Sequence, residues 1–209
     1  MSEPILRKGM SAQEFSDGYF YAAQLKQFAR EIGIPVGNRR KIELEVLIRR
    51  YLLTGHIETS HSTPSRKTVG VRDKLEKDAA VVNYVDDRRT KEFLLLCVHE
   101  QAPELKDKSG QWYWLNDWRR KKQEEGAHFT YKSLANHLRR LMETSGRLPQ
   151  IPSARMNNFI TDYRADSSVP QVSHKELMAQ WMWLKRQPGP NTYEEYKRLQ
   201  RAANNERLG

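Results

Sequence analysis

Residues 21–55 read YAAQLKQFAREIGIPVGNRRKIELEVLIRRYLLTG, two short amphipathic patterns on either side of a tight basic loop. In the first pattern Tyr21, Leu25, Phe28 and Ile32 recur at steps of four, three and four, which gathers them on one face of a 3.6-residue helix. Gly33 ends that helix. In the second, Ile42, Leu44, Leu47, Ile48, Tyr51 and Leu52 form a broader apolar stripe, with Glu43, Glu45, Arg49 and Arg50 expected mainly toward water and Gly55 as the C-terminal stop. The two apolar faces are expected to close on each other, leaving Gly33-Ile34-Pro35-Val36-Gly37-Asn38-Arg39-Arg40-Lys41 as the connecting loop.

A helix pair of this size lies below the roughly 40 residues at which chains fold without disulfides, metals or partners, so its core must be widened. The preceding segment can do this. Ser11-Ala12-Gln13-Glu14 has the spacing of a capping box, and Phe15, Tyr19 and Phe20 add aromatic area beside Tyr21.

The segment resembles a SAP domain, a small module that binds duplex DNA or occasionally RNA. The resemblance rests on Leu25 and Phe28, the Gly33-Ile34-Pro35 turn, the loop glycine Gly37, the step Arg40-Lys41, Glu43-Leu44 and the closing Ile48 to Leu52 stretch. It implies DNA contacts from Gly37, Asn38, Arg39, Arg40 and Lys41, where the first turn of the second helix offers N–H donors and positive dipole charge to phosphate. The family usually places glycine directly before the basic pair, whereas Gly37 lies two residues upstream of Arg39, so a longer loop with displaced contacts is expected. Some bacterial proteins are similar to the whole arrangement, pairing a SAP-like module with a helical domain of unknown activity. In them a late helix precedes a Trp-containing one, as Met156 through Trp183 does here.

Composition bounds the rest. The 209 residues have room for one or two domains, and 38% hydrophobic content with five Trp, nine Tyr and six Phe supports real cores. A net charge of +10 favours anionic partners, nucleic acid ahead of a membrane surface. Met1 to Met10 holds no apolar run and no stretch reaches the length of a bilayer span, so a cytoplasmic protein is expected. A single cysteine, Cys97, among Leu94, Leu95, Leu96 and Val98, excludes an internal disulfide and reads as a buried small hydrophobe.

Residues 56–77 are polar and aperiodic and read as a linker; His56 and His61 within it lack a third nearby metal ligand. Residues 78–209 read as a second, larger all-helical domain, making the whole chain mostly α. Its helices are expected over Thr90 to Gln101, between Gly110 and Gly126, from Thr130 to Gly146 and over Arg155 to Arg164. Two capping boxes, Ser173-His174-Lys175-Glu176 and Thr192-Tyr193-Glu194-Glu195, open two more, with Pro188-Gly189-Pro190 between them.

Catalytic chemistry is poorly stocked. His99-Glu100 has no second histidine at the i+4 position, and there is no phosphate-cradling Gly-rich loop, no Gly-x-Ser-x-Gly turn and no paired cysteines. Asp162 and Asp166, four apart, read as surface carboxylates. No catalytic residue, cofactor or metal is expected.

A second nucleic-acid contact has two weaker signals: Phe129 to Leu138, similar to the opening helix of a helix-turn-helix, and Trp112, Trp114 and Trp118 beside Arg119, Arg120, Lys121 and Lys122. Glu124, Glu125 and Glu143 interleave with these bases, which favours a solvated mixed face. The expected function is non-catalytic binding of duplex DNA, with a protein partner recruited through the C-terminal domain. The alternative is a protein-protein adaptor, phage- or plasmid-related, whose basic surface meets an acidic partner.

Overall fold

The computed structural model describes residues 5–57 and 71–208. Among them lie nine helices, α1 (Ala12–Asp17), α2 (Ala22–Glu31), α3 (Lys41–Thr54), α4 (Arg88–His99), α5 (Gln111–Glu124), α6 (Tyr131–Glu143), α7 (Arg155–Ala165), α8 (His174–Leu184) and α9 (Tyr193–Leu208). The only β pairing in this part of the chain is an isolated bridge between Ala80 and Thr130. The fold is therefore mostly α, as the helical periodicity requires, and no helix of the described residues is long and apolar enough to cross a membrane.

The chain forms two compact units, one from Met1–Ser65 with Pro152–Gly209, the other from Arg66–Ile151. This division differs from the expected boundary at residue 78, because the helices after Pro152 join the N-terminal ones instead of their sequence neighbours. The physical reason is burial. Three helices leave the Tyr19 side of the N-terminal module uncovered, and α7 and α8 bring the aromatic surface that covers it.

In the first unit, α2 and α3 pack Leu25, Phe28, Ala29 and Ile32 against Leu44 and Ile48, and Phe15 stacks on Phe20 at 5.4 Å to extend that core. Fully burying each such leucine or phenylalanine contributes about 1.5–3 kcal/mol. Tyr21 leaves the expected face: it is the N-cap of α2 and exposed. The Ser11–Glu14 capping box forms, with Glu14 N–H donating to Ser11 Oγ at 3.1 Å and Ser11 N–H to Glu14 Oε2 at 2.8 Å. A second cluster joins Phe159 and Tyr163 of α7, Leu177, Trp181 and Leu184 of α8, and Tyr193 and Tyr196 of α9.

The two clusters are stitched by Tyr19, whose ring meets Trp181 edge-on at 5.1 Å, and by Arg155. The Arg155 guanidinium donates to the carbonyls of Ser16, Asp17 and Gly18 at 2.7, 3.1 and 3.0 Å. Those are the carbonyls that the C-terminal end of α1 cannot pair within the helix. Asn191 N–H reaches the same Asp17 carbonyl at 3.3 Å.

In the second unit, α4 and α5 pack on α6 through Leu94, Cys97, Val98, Leu115, Leu134, Ala135 and Leu138, and Cys97 is buried as a small hydrophobe. Ala135 is thus the close-approach point for helices that precede α6, not for a following helix of a helix-turn-helix. The linker expectation falls partly on residues 58–70, which lie outside the described residues. Its last part is packed: Arg72 forks onto Asp87 at 2.6 and 2.7 Å, and Asp73 accepts from the N–H groups of Val82 and Asn83 and from the Tyr131 hydroxyl.

Candidate nucleic-acid interface

The loop between α2 and α3 turns on two glycines in the left-handed region, Gly33 at φ 84° and Gly37 at φ 45°. Any other residue there would be strained, so the glycines fix where the chain reverses. Gly33 ends α2, letting Ile34 N–H reach the Ala29 carbonyl at 2.7 Å and its side chain enter the core. Gly37 and Asn38 then stand exposed at the tip, with Arg39 between them and the N-cap of α3, Arg40.

The three basic residues that follow are not equivalent. The resemblance implies DNA contacts from all three, but Arg39 is only 7% exposed and its guanidinium donates to the Pro35 carbonyl, closing the loop on itself. Arg40 is half-buried as the N-cap of α3. Its N–H and its Nε both reach Glu43, at 2.9 and 2.7 Å. Since a guanidinium has no acceptor, only the glutamate half of a capping box forms here.

Lys41 turns inward. Its ammonium donates to the Ser153 carbonyl at 2.8 Å, lies 3.9 Å from the Tyr19 ring centre and pairs with Glu45 at 3.6 Å. Burial pushes its pKa below the ordinary lysine value, the nearby Arg155 and Lys185 add to that, and Glu45 opposes it. Glu45, expected toward water, is held above the usual carboxylate range by the same burial. Buried Lys185, at the C-terminal end of α8, brings its ammonium to 4.6 Å from the Tyr21 ring centre and 5.7 Å from that of Tyr19. Two ammonium groups, those of Lys41 and Lys185, therefore lie over two tyrosine rings, an arrangement favoured by the negative faces of the rings. Sequence reasoning missed Arg155 and Lys185 here, because nothing local in the chain relates them to Lys41.

Outward-facing cations of the same unit lie beside this loop in sequence: Lys26 and Arg30 on α2, one helical turn apart, and Arg49 and Arg50 near the end of α3.

On α5 the run Arg119, Arg120, Lys121 and Lys122 is largely engaged with its own unit. Arg119 bonds Asn116 and Gln123 and stacks over Tyr84 at 4.5 Å, Lys121 pairs with Asp117 at 2.8 Å, and Lys122 pairs with Glu125 at 2.7 Å. Trp112 and Trp118 are half-buried against the core, Trp118 stacking on His137 at 4.6 Å. Trp114 donates from its indole N–H to the Pro149 carbonyl at 3.0 Å. These rings serve the unit's own packing.

Among the described residues no group of three or more His, Cys, Asp or Glu is placed to hold a metal ion. Asp166 instead accepts from Ser168 and Tyr193 and pairs with Lys197; the hydrogen bonds from Ser168, then that from Tyr193, hold its carboxyl below the usual range. Set against known proteins, the chain matches no family model, and neither a curated protein nor a solved structure is similar to it.

Proposed function

We propose that this protein binds duplex DNA, without catalysis, through a SAP-like N-terminal module. The observation that carries the reading is the exposed Gly37-Asn38 tip, which lies two residues ahead of Arg40, the N-cap of α3. A helix N-terminus leaves N–H groups outside its own ladder and presents the positive end of its dipole, which suits a phosphate. Gly37 lets the backbone come close and Asn38 stands exposed beside it, while Arg40, paired with Glu43, caps the helix. Lys26 and Arg30 extend the positive field along α2.

In this reading Arg39 and Lys41 act from inside. Arg39 holds the loop on the Pro35 carbonyl, and Lys41 fixes the start of α3 on Ser153 and Tyr19. They shape the phosphate-facing turn without touching DNA. The four basic residues of α5 contribute charge to the second unit, and their carboxylate neighbours keep them from forming a one-signed groove. The reading is tested by titrating duplex DNA against the full chain over a range of salt, with Asn38→Glu as the site variant.

A further inference from the structure

Helix α3 opens differently from α1 and α8. In those two helices the N-cap is a serine, and Glu14 and Glu176 accept from its backbone N–H. At α3 the N-cap is Arg40, so Glu43 holds two donors of one cationic residue, the backbone N–H at 2.9 Å and the guanidinium Nε at 2.7 Å. The two side chains are only 23% and 25% exposed. A carboxylate and a phosphate make the same demands here: each accepts charge-assisted hydrogen bonds from a guanidinium, and each is favoured beside the N-terminus of a helix. Glu43 thus already occupies, at the first turn of α3, the role that a DNA phosphate would take. The neighbouring carboxylates are engaged elsewhere, Glu45 with Lys41 in the interior and Glu31 with the Gln27 amide on α2.

We infer that Glu43 is a built-in competitor for the duplex phosphate, one that must yield the Arg40 guanidinium before DNA can take it; the inference rests on the reading of this turn as the DNA contact. In the free protein Arg40 is neutralised by its own helix, so its charge adds little to the attraction for DNA. When a phosphate arrives, the glutamate repels it and loses its cation to it. Partly buried charges are screened by salt less than exposed ones, so this opposition persists at ionic strengths that silence surface pairs. The competition is local to one carboxylate and one guanidinium, which separates it from the general effect of net charge.

Glu43→Gln removes the charge and keeps an oxygen for the Arg40 N–H, since glutamine also completes a capping box. Circular dichroism and melting close to those of the parent show that the cap survives. Titrated with a short DNA duplex by anisotropy across a salt series, the full-length variant should bind about threefold or more tightly than the parent, and its log-log salt slope should rise by about one as Arg40 comes to neutralise a phosphate. Arg40→Gln added to Glu43→Gln should take both gains away. Glu194→Gln, which removes an exposed carboxylate of α9 paired with Lys197, should stay within about twofold of the parent. Duplex affinity in Glu43→Gln that is unchanged or lower overturns the inference, as does a gain matched by Glu194→Gln or one that persists in the double variant. If the parent binds duplex with the expected salt dependence while Glu43→Gln gains nothing, the inference falls and the reading of the turn stands. If neither protein binds duplex, the reading falls and takes the inference with it.

Discussion

The Lys41 ammonium sits 3.9 Å from the centre of the Tyr19 ring, and through Ser153 it ties the first turn of α3 to the segment that opens α7. A basic residue that reads as a phosphate contact is thus spent on the fold. Lys41→Ala should leave the Ser153 carbonyl and the Glu45 carboxylate without their cation, at a cost of about 1–3 kcal/mol for buried groups losing a charged hydrogen bond. Urea unfolding followed by circular dichroism measures the loss. A variant as stable as the parent would mean that the lysine contributes nothing there.

The same geometry predicts that the N-terminal helices do not stand alone. A fragment of residues 1–65 lacks Trp181 against Tyr19 and Arg155 on the α1 carbonyls. It should melt without a cooperative transition, and adding residues 152–209 in trans should restore one. Cooperative melting of the fragment at the temperature of the full chain would contradict the shared core.

These helices were legible in the chain because each carries its own local signals: the 3.6-residue spacing of Leu25 and Phe28, the Ser11 and Ser173 capping boxes, and the glycines at 33, 55 and 110. Their grouping was not. What sends α7 and α8 to the N-terminal module is the match of Trp181 to Tyr19 and of Arg155 to three backbone carbonyls, and neither pairing leaves a periodic trace in sequence. The candidate site divides the same way. Gly37 and Asn38 stand where the loop pattern put them, but whether Arg39 and Lys41 point out or in depends on acceptors, Pro35 and Ser153, that only the folded chain supplies.

Asp87 gives the second unit a pH dependence. It caps α4, accepting from Thr90 N–H, and receives both arms of Arg72, which hold its carboxyl well below the usual carboxylate range. A carboxylate whose folded-state pKa is depressed contributes stability that is present above its unfolded value and is lost as pH falls through the folded one. Acid unfolding should therefore steepen below the ordinary carboxylate range, and Asp87→Asn should lower stability at neutral pH while flattening that acid limb. Parallel pH profiles for the two proteins would exclude Asp87 as a source.

On α5, charge reversal at Lys121 and Lys122 should leave the affinity for duplex DNA within about twofold, because mixed faces of paired charges are solvated and not one-signed. A mobility-shift titration of the full-length variant decides it. A drop of about tenfold would move the main DNA contact to the second unit.

In the proposed function, DNA meets the exposed Gly37-Asn38 tip and the first turn of α3. Duplex affinity of the full chain, measured by anisotropy across a salt series, should fall with a log-log slope of about two to three, the signature of that many phosphates at about 0.9 each. Asn38→Glu places a carboxylate at this exposed position, where the phosphate would lie. It should weaken binding about tenfold and reduce the slope by about one. Duplex binding that is absent, insensitive to salt, or unchanged by Asn38→Glu would contradict the claim.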